Sequence, residues 1–185
     1  MFNKKTLVAA VLLSVLSAQA EAQIITADGQ WNAFDVDEEI SGGLEWIDLD
    51  GNPLTFDFTL TDSAVLDVVD AGFGGDRFGL SPFIIEQVIG YQERTGNNTF
   101  PSSVVLDFDQ AYTDLNYSLY TYTLLPGTYS LTGLLIESAL DGAGTPINAT
   151  VGAVRLTSAV PLPAAAWLYM GGTALMGFIS RRRKV

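Results

Sequence analysis

The sequence predicts an all-β protein: a single antiparallel β-sandwich, jelly-roll-like, between an N-terminal signal peptide and a C-terminal transmembrane helix. Three observations carry this. About nine short apolar runs are separated by Gly, Asp, Asn and Pro turn signals, and one of them, Leu54 to Leu60, alternates strictly between apolar and polar residues. No segment of the body shows a convincing apolar stripe of helical period. Charge-free apolar stretches sit at both ends of the 185-residue chain, each next to a cluster of basic residues.

The N-terminal residues 1–22 have the order of a secretory signal. Lys4 and Lys5 give the positive start, and Leu7 to Leu16 is an apolar run too short to span a bilayer comfortably. Ala18-Gln19-Ala20 and Ala20-Glu21-Ala22 both satisfy the small-x-small cleavage rule, so signal peptidase is expected to cut after Ala20 or Ala22.

Residues 23–159 form the body. Gln30–Val36 alternates as a first strand, and Asp37-Glu38-Glu39 reads as a solvated acidic turn. Leu44–Leu49 is a second strand, closed by the turn Asp50-Gly51-Asn52-Pro53. In Leu54–Leu60 the residues Leu54, Phe56, Phe58 and Leu60 share one face, as in a strand buried on one side. Ala64–Val69 follows, then a glycine-rich bend. Phe83–Tyr91 is read as a strand, with a short helix behind Ser81-Pro82 as the alternative. Ser103–Asp109 is the next strand. Leu115–Leu125 and Thr128–Ser138 flank Pro126-Gly127 and are expected to pair as a hairpin, and Ile147–Ser158 is the last strand.

Composition bounds the function. The body keeps only Arg77, Arg94 and Arg155 against 20 acidic residues, a net charge near −17. Such a surface repels phosphates, so no nucleic-acid partner is expected. There is no cysteine and no histidine. The core must therefore hold the domain without disulfides, and triads or zinc sites built on those residues are excluded. No carboxylate pair sits in a glycosidase signature, so no catalytic residue is assigned and the protein is read as non-enzymatic.

No cofactor is expected, with calcium as the one ligand the acidic loops suggest. Asp48 and Asp50 alternate like the start of a calcium loop, but Asp50-Gly51 also explains itself as a turn. Asp70 and Asp76 flank the glycine-rich bend, and one reading has them share a cation with Asp35, Asp37 or Asp107. The plainer reading has Asp70 capping its own turn, with Asp76 paired to Arg77 or Arg155. Trp31, Trp46, Tyr112, Tyr117, Tyr120, Tyr122 and Tyr129 are candidates for a sugar-stacking platform or, alternatively, for the core.

The last 26 residues, 160–185, have three parts. Val160, Pro161, Leu162 and Pro163 form a stiff extended run. Ala164 to Ser180 is uncharged, and Arg181, Arg182, Arg183 and Lys184 are basic, which places the body outside and the basic block on the cytoplasmic side. With Ala164, Trp167, Leu168 and the glycines 171, 172 and 177 in place, this tail resembles the PEP-CTERM sorting signal, in its variant that begins Val-Pro-Leu-Pro-Ala. The name-giving Pro-Glu-Pro reads Pro161-Leu162-Pro163 here. The resemblance implies transient anchoring in the inner membrane, processing by an exosortase near the proline motif, and a role at the cell surface or in an extracellular, exopolysaccharide-rich matrix or biofilm. A permanent membrane anchor is the alternative. In the body, Val68-Val69-Asp70-Ala71-Gly72-Phe73-Gly74-Gly75-Asp76-Arg77-Phe78 resembles a passenger motif of sorting-tail proteins and is expected to form one hairpin connection.

Overall fold

A computed structural model of the chain describes residues 21–81, 88–99 and 104–159. The signal-peptide residues 1–20, the sorting motif and apolar tail (160–185) and residues 83–87 of the expected Phe83–Tyr91 strand lie outside them. Among the described residues, no helix is long and apolar enough to cross a membrane.

The described chain is mostly β. Its elements are β1 (Glu21–Ile24), β2 (Asp28–Asp37), α1 (Glu38–Ser41), β3 (Leu54–Leu60), β4 (Ala64–Phe73), β5 (Arg77–Ser81), β6 (Val88–Arg94), β7 (Val104–Val105), α2 (Phe108–Thr113), β8 (Leu119–Leu124), β9 (Gly127–Glu137) and β10 (Ala149–Ser158). They build two sheets. The smaller has the order β1-β3-β9-β5; the larger runs β2-β10-β4-β8-β6, with β7 on the end of β4. Alternate residues of each strand point between the sheets. Phe34 and Val36, Leu66 and Val68, Val154 and Leu156 come from one sheet, and Phe56, Phe58, Leu131 and Leu135 from the other, in a single buried cluster. All pairings are antiparallel except β1 with β3, which is parallel. That departs from the purely antiparallel expectation.

Several local expectations are corrected. Leu44–Leu49 is not a strand. Glu45 bridges to Leu134 of the smaller sheet, while Ile47 bridges to Asp35 of the larger one and to Pro53. The adjacent amides of Trp46 and Ile47 thus donate to different sheets, to Gly133 and to Asp35, and the segment closes the side of the sandwich. Trp46 is fully buried and stacks on Phe34 with ring centroids 3.9 Å apart. Gly133 is required beside it, because a Cβ there would run into the indole.

The acidic turn after β2 is one helical turn. The Asp37 carboxylate accepts the amides of Glu39 (2.9 Å) and Ile40 (3.2 Å), and Gly42 ends the turn at φ 71°. The expected strand Ser103–Asp109 keeps only two ladder residues, because Asp107 accepts the amides of Asp109 and Gln110 and starts α2. That short helix buries Ala111 against the outer face of the larger sheet, with Val69, Ala153 and Tyr117.

Neither expected hairpin exists. β8 pairs with β4 and β6, whereas β9 pairs with β3 and β5, so Pro126 carries the chain from one sheet to the other. The bend after β4 does the same, since β5 pairs with β9. Turn residues mark where a chain reverses, but not which strand it then meets.

Candidate functional site

The bend between β4 and β5 is where the buried polar groups gather. Asp70 shares the inward face of its sheet with Phe34, since both stand opposite Gly152. Its Oδ2 accepts the backbone amides of Gly75 (2.8 Å), Asp76 (3.1 Å) and Ser118 (3.4 Å). Asp76 Oδ1 accepts the Ala139 amide at 2.7 Å. The Ser118 hydroxyl accepts from Gly96, and the Ser138 hydroxyl accepts from Asn148. Two carboxylates and two hydroxyls thus tie five separate chain segments at one end of the sandwich. Each bond satisfies an amide that would otherwise be buried without a partner.

Both carboxylates are almost wholly hidden from solvent, at 0% exposure for Asp70 and 1% for Asp76. Burial is the main force on their protonation. It holds Asp70 well above the usual carboxylate range, helped by the like charge of Asp76 and opposed by the three amides. Burial pushes Asp76 up to about 6, opposed by the Ala139 amide. Asp70 Oδ1 and Asp76 Oδ2 have no hydrogen-bond partner among the described residues. The nearby hydroxyls of Thr150 and Ser138 are aimed at the carbonyls of Ala71 (3.0 Å) and Ala139 (3.1 Å).

The arginine partners expected for Asp76 are engaged elsewhere. Arg77 pairs with Glu93 (2.8 Å) and Glu137 (3.1 Å), because alternation along β5 turns it away from the interior. Arg155 pairs with Asp67 at 2.8 Å and lies 3.7 Å from Asp109. Asp70 caps its own bend as read from the sequence. Nor do the other acids join the pair. Asp37 and Asp107 cap the two helices, and Asp35 lies on the opposite face of the sheet, in register with Val151 and Ala71. Asp48 Oδ1 accepts the amides of Asp50 and Asn52, both at 2.8 Å, so the loop is an Asx-type turn built on Asp48. Among the described residues, no group of three or more metal-ligating side chains converges.

The bend also requires a glycine. Gly75 has φ 101°, and an added Cβ would meet the backbone of Asn97 and Asn98. Gly75→Ala is expected to lower unfolding free energy by about 2 kcal/mol through backbone strain and overpacking; urea unfolding of the variant checks this.

The aromatic candidates divide. Trp46, Tyr117, Tyr120, Tyr122 and Tyr129 are core residues and present no platform. Trp31 and Tyr112 are half-buried on the outer face, where they clamp the Arg155 guanidinium at 4.1 and 4.3 Å from their ring centres, and the Trp31 indole donates to Asp109 at 2.8 Å. Their faces are already occupied. Among the described residues the exposed aromatic is Tyr91, absent from the sequence candidates, on β6. It is 50% exposed, packs on Tyr122, and lines an open groove of about 550 Å³ with Phe78, Val88 and Ile89. Its hydroxyl donates to Glu93 at 2.7 Å. Alternation with Val88 and Gly90 was the signal available for it, but whether an edge aromatic is covered depends on the other sheet. No known protein family, characterised protein or solved structure matches this chain.

Proposed function

We propose that this is an exported, non-enzymatic protein of the cell surface or extracellular matrix, delivered through a PEP-CTERM-type tail. Signal peptidase removes the N-terminal segment. The tail holds the chain in the inner membrane until an exosortase cuts near Pro161 to Pro163, and the acidic body then acts outside, in envelope or biofilm. The observation that carries this reading is the junction of body and tail. β10 runs to Ser158, Ala159 still donates to the Ser63 carbonyl at 3.0 Å, and the Val160-Pro161-Leu162-Pro163 motif follows at once. A domain tied up to the motif leaves the motif as the first segment a membrane protease meets outside it. The passages at Gly74-Gly75 and Pro126, which move the chain between sheets, support the jelly-roll-like reading. The test is the intact mass of the protein from its native host, in membranes and medium separately. Loss of the C-terminal residues beyond the proline motif is the expected result; a complete C-terminus confined to membranes overturns sorting and leaves a permanent anchor.

A second reading, binding of an exopolysaccharide, is favoured by Tyr91. A half-exposed ring beside the Glu93 carboxylate on an edge strand offers a sugar both a stacking face and an acceptor. Tyr91→Ala is expected to weaken retention on the host's own polysaccharide about tenfold, the scale of one lost stacking contact. Affinity electrophoresis reads this, and unchanged mobility removes the reading.

A further inference from the structure

We propose that signal peptidase cuts between Ala20 and Glu21, so that the mature chain begins at Glu21 and not at Gln23. This rests on the export reading above. The sequence offers two frames, Ala18-Gln19-Ala20 and Ala20-Glu21-Ala22, and the small-residue rule does not separate them. The enzyme acts on the unfolded chain, so the fold does not direct it. The fold does show which product the domain is built around.

Two independent features choose the longer product. The first is β1. Its four residues pair in parallel with β3 as Glu21 with Leu54, Ala22 with Thr55, Gln23 with Phe56 and Ile24 with Asp57. A chain starting at Glu21 covers β3 from its first residue. A cut after Ala22 removes half of that ladder and uncovers the first two residues of β3, leaving a free sheet edge.

The second is Gln23. Its side-chain amide Nε2 donates to Asn32 Oδ1 at 3.0 Å on the surface, tying β1 to the middle of β2. As an N-terminal residue, glutamine cyclises. The α-amine attacks the side-chain carbonyl carbon, a lactam C–N bond forms, the C–Nε2 bond breaks, and ammonia leaves. That reaction destroys the donor of this hydrogen bond and the terminal charge together. With Glu21 and Ala22 in place, the Gln23 nitrogen is a peptide nitrogen and the reaction is closed.

The first measurement is the N-terminal peptide mass of the exported protein from its native host. A Glu21 start is expected. A start at Gln23, or at its lactam lighter by one ammonia, overturns the inference and leaves export standing. A chain retaining Met1 in every fraction overturns export as well. Two variants separate the frames, since Ala20 belongs to both. Ala22→Leu blocks only the second frame and is expected to mature at Glu21 as before. Ala18→Leu blocks only the first and is expected to accumulate precursor or start at Gln23. The reverse pattern, with Ala22→Leu failing and Ala18→Leu processed normally, overturns the assignment.

Discussion

Asp70→Ala is expected to lower the unfolding free energy by about 4 kcal/mol. The wild-type carboxylate serves three amides: Gly75 and Asp76 in the bend itself, and Ser118 at the entrance to β8. Truncation leaves three buried donors without an acceptor, each costing about 1–3 kcal/mol, plus the space of a lost carboxyl group. Removing a buried polar carboxyl beside Asp76 offsets part of this. Asp70→Asn isolates the two effects. Its carbonyl oxygen can accept from the same amides and it carries no charge, so it is expected to remain within about 1 kcal/mol of wild type at pH 7. Urea unfolding of both variants at one pH is the measurement. If Asp70→Ala falls within that same margin, the carboxylate is not what holds the passage between sheets.

The second large effect is a dependence on pH opposite to that of most acidic proteins. Asp76 has its folded value raised from 3.8 to about 6, and Asp70 is raised well above the same reference. A carboxyl raised on folding binds its proton more tightly in the folded state. Its stabilising contribution is therefore complete below the unfolded value, near pH 4, and is lost as pH rises through the folded value, near pH 6 for Asp76. A shift of this size corresponds to about 3 kcal/mol across that window, with Asp70 adding in the same direction at higher pH. Asp28, Asp141 and Glu93 are lowered and work the other way, but they are largely solvent-exposed and their effect is small. The wild-type protein is thus expected to be more stable at pH 4.5 than at pH 7. Asp76→Asn, which keeps an oxygen for the Ala139 amide, is expected to flatten the curve between those values. Thermal unfolding across the range reads both; a wild-type curve that climbs steadily from pH 4 to pH 7 contradicts the assignment of the two buried acids.

Both effects concern residues that the sequence singles out. Asp70 as the cap of its own turn follows from the chemistry of Asp before a Gly-Gly bend, and it holds. For Asp76 the plainer sequence reading is a pair with Arg77 or Arg155, because a charge in an acidic chain invites a cation. Its partner is the Ala139 amide, 63 positions away in sequence, and only the packing of β9's exit against the bend makes that encounter. Trp46 lies in a segment that the sequence predicts as a strand, but it fills the side of the sandwich because that segment bonds to both sheets. The exposure of Tyr91 is not legible locally, because an edge position depends on which strands pair.

The sequence by itself determined what local chemistry determines. Period-two alternation set the inward face of β3. The caps at Asp37 and Asp107 are equally local, yet the sequence reads a turn at the first and a strand through the second. The terminal apolar segments with their flanking basic residues support the reading of an exported chain. Tertiary structure decided the pairing. Whether Pro126-Gly127 joins partners in one sheet or carries the chain across to the other depends on which strands compete for each edge. That competition is settled by burying Phe34, Trp46 and Phe56 together, a non-local term no turn signal encodes. The protonation of Asp70 and Asp76 was decided in the same way, because a carboxylate's affinity for its proton follows the solvent it loses, and that loss exists only after the sheets close over it.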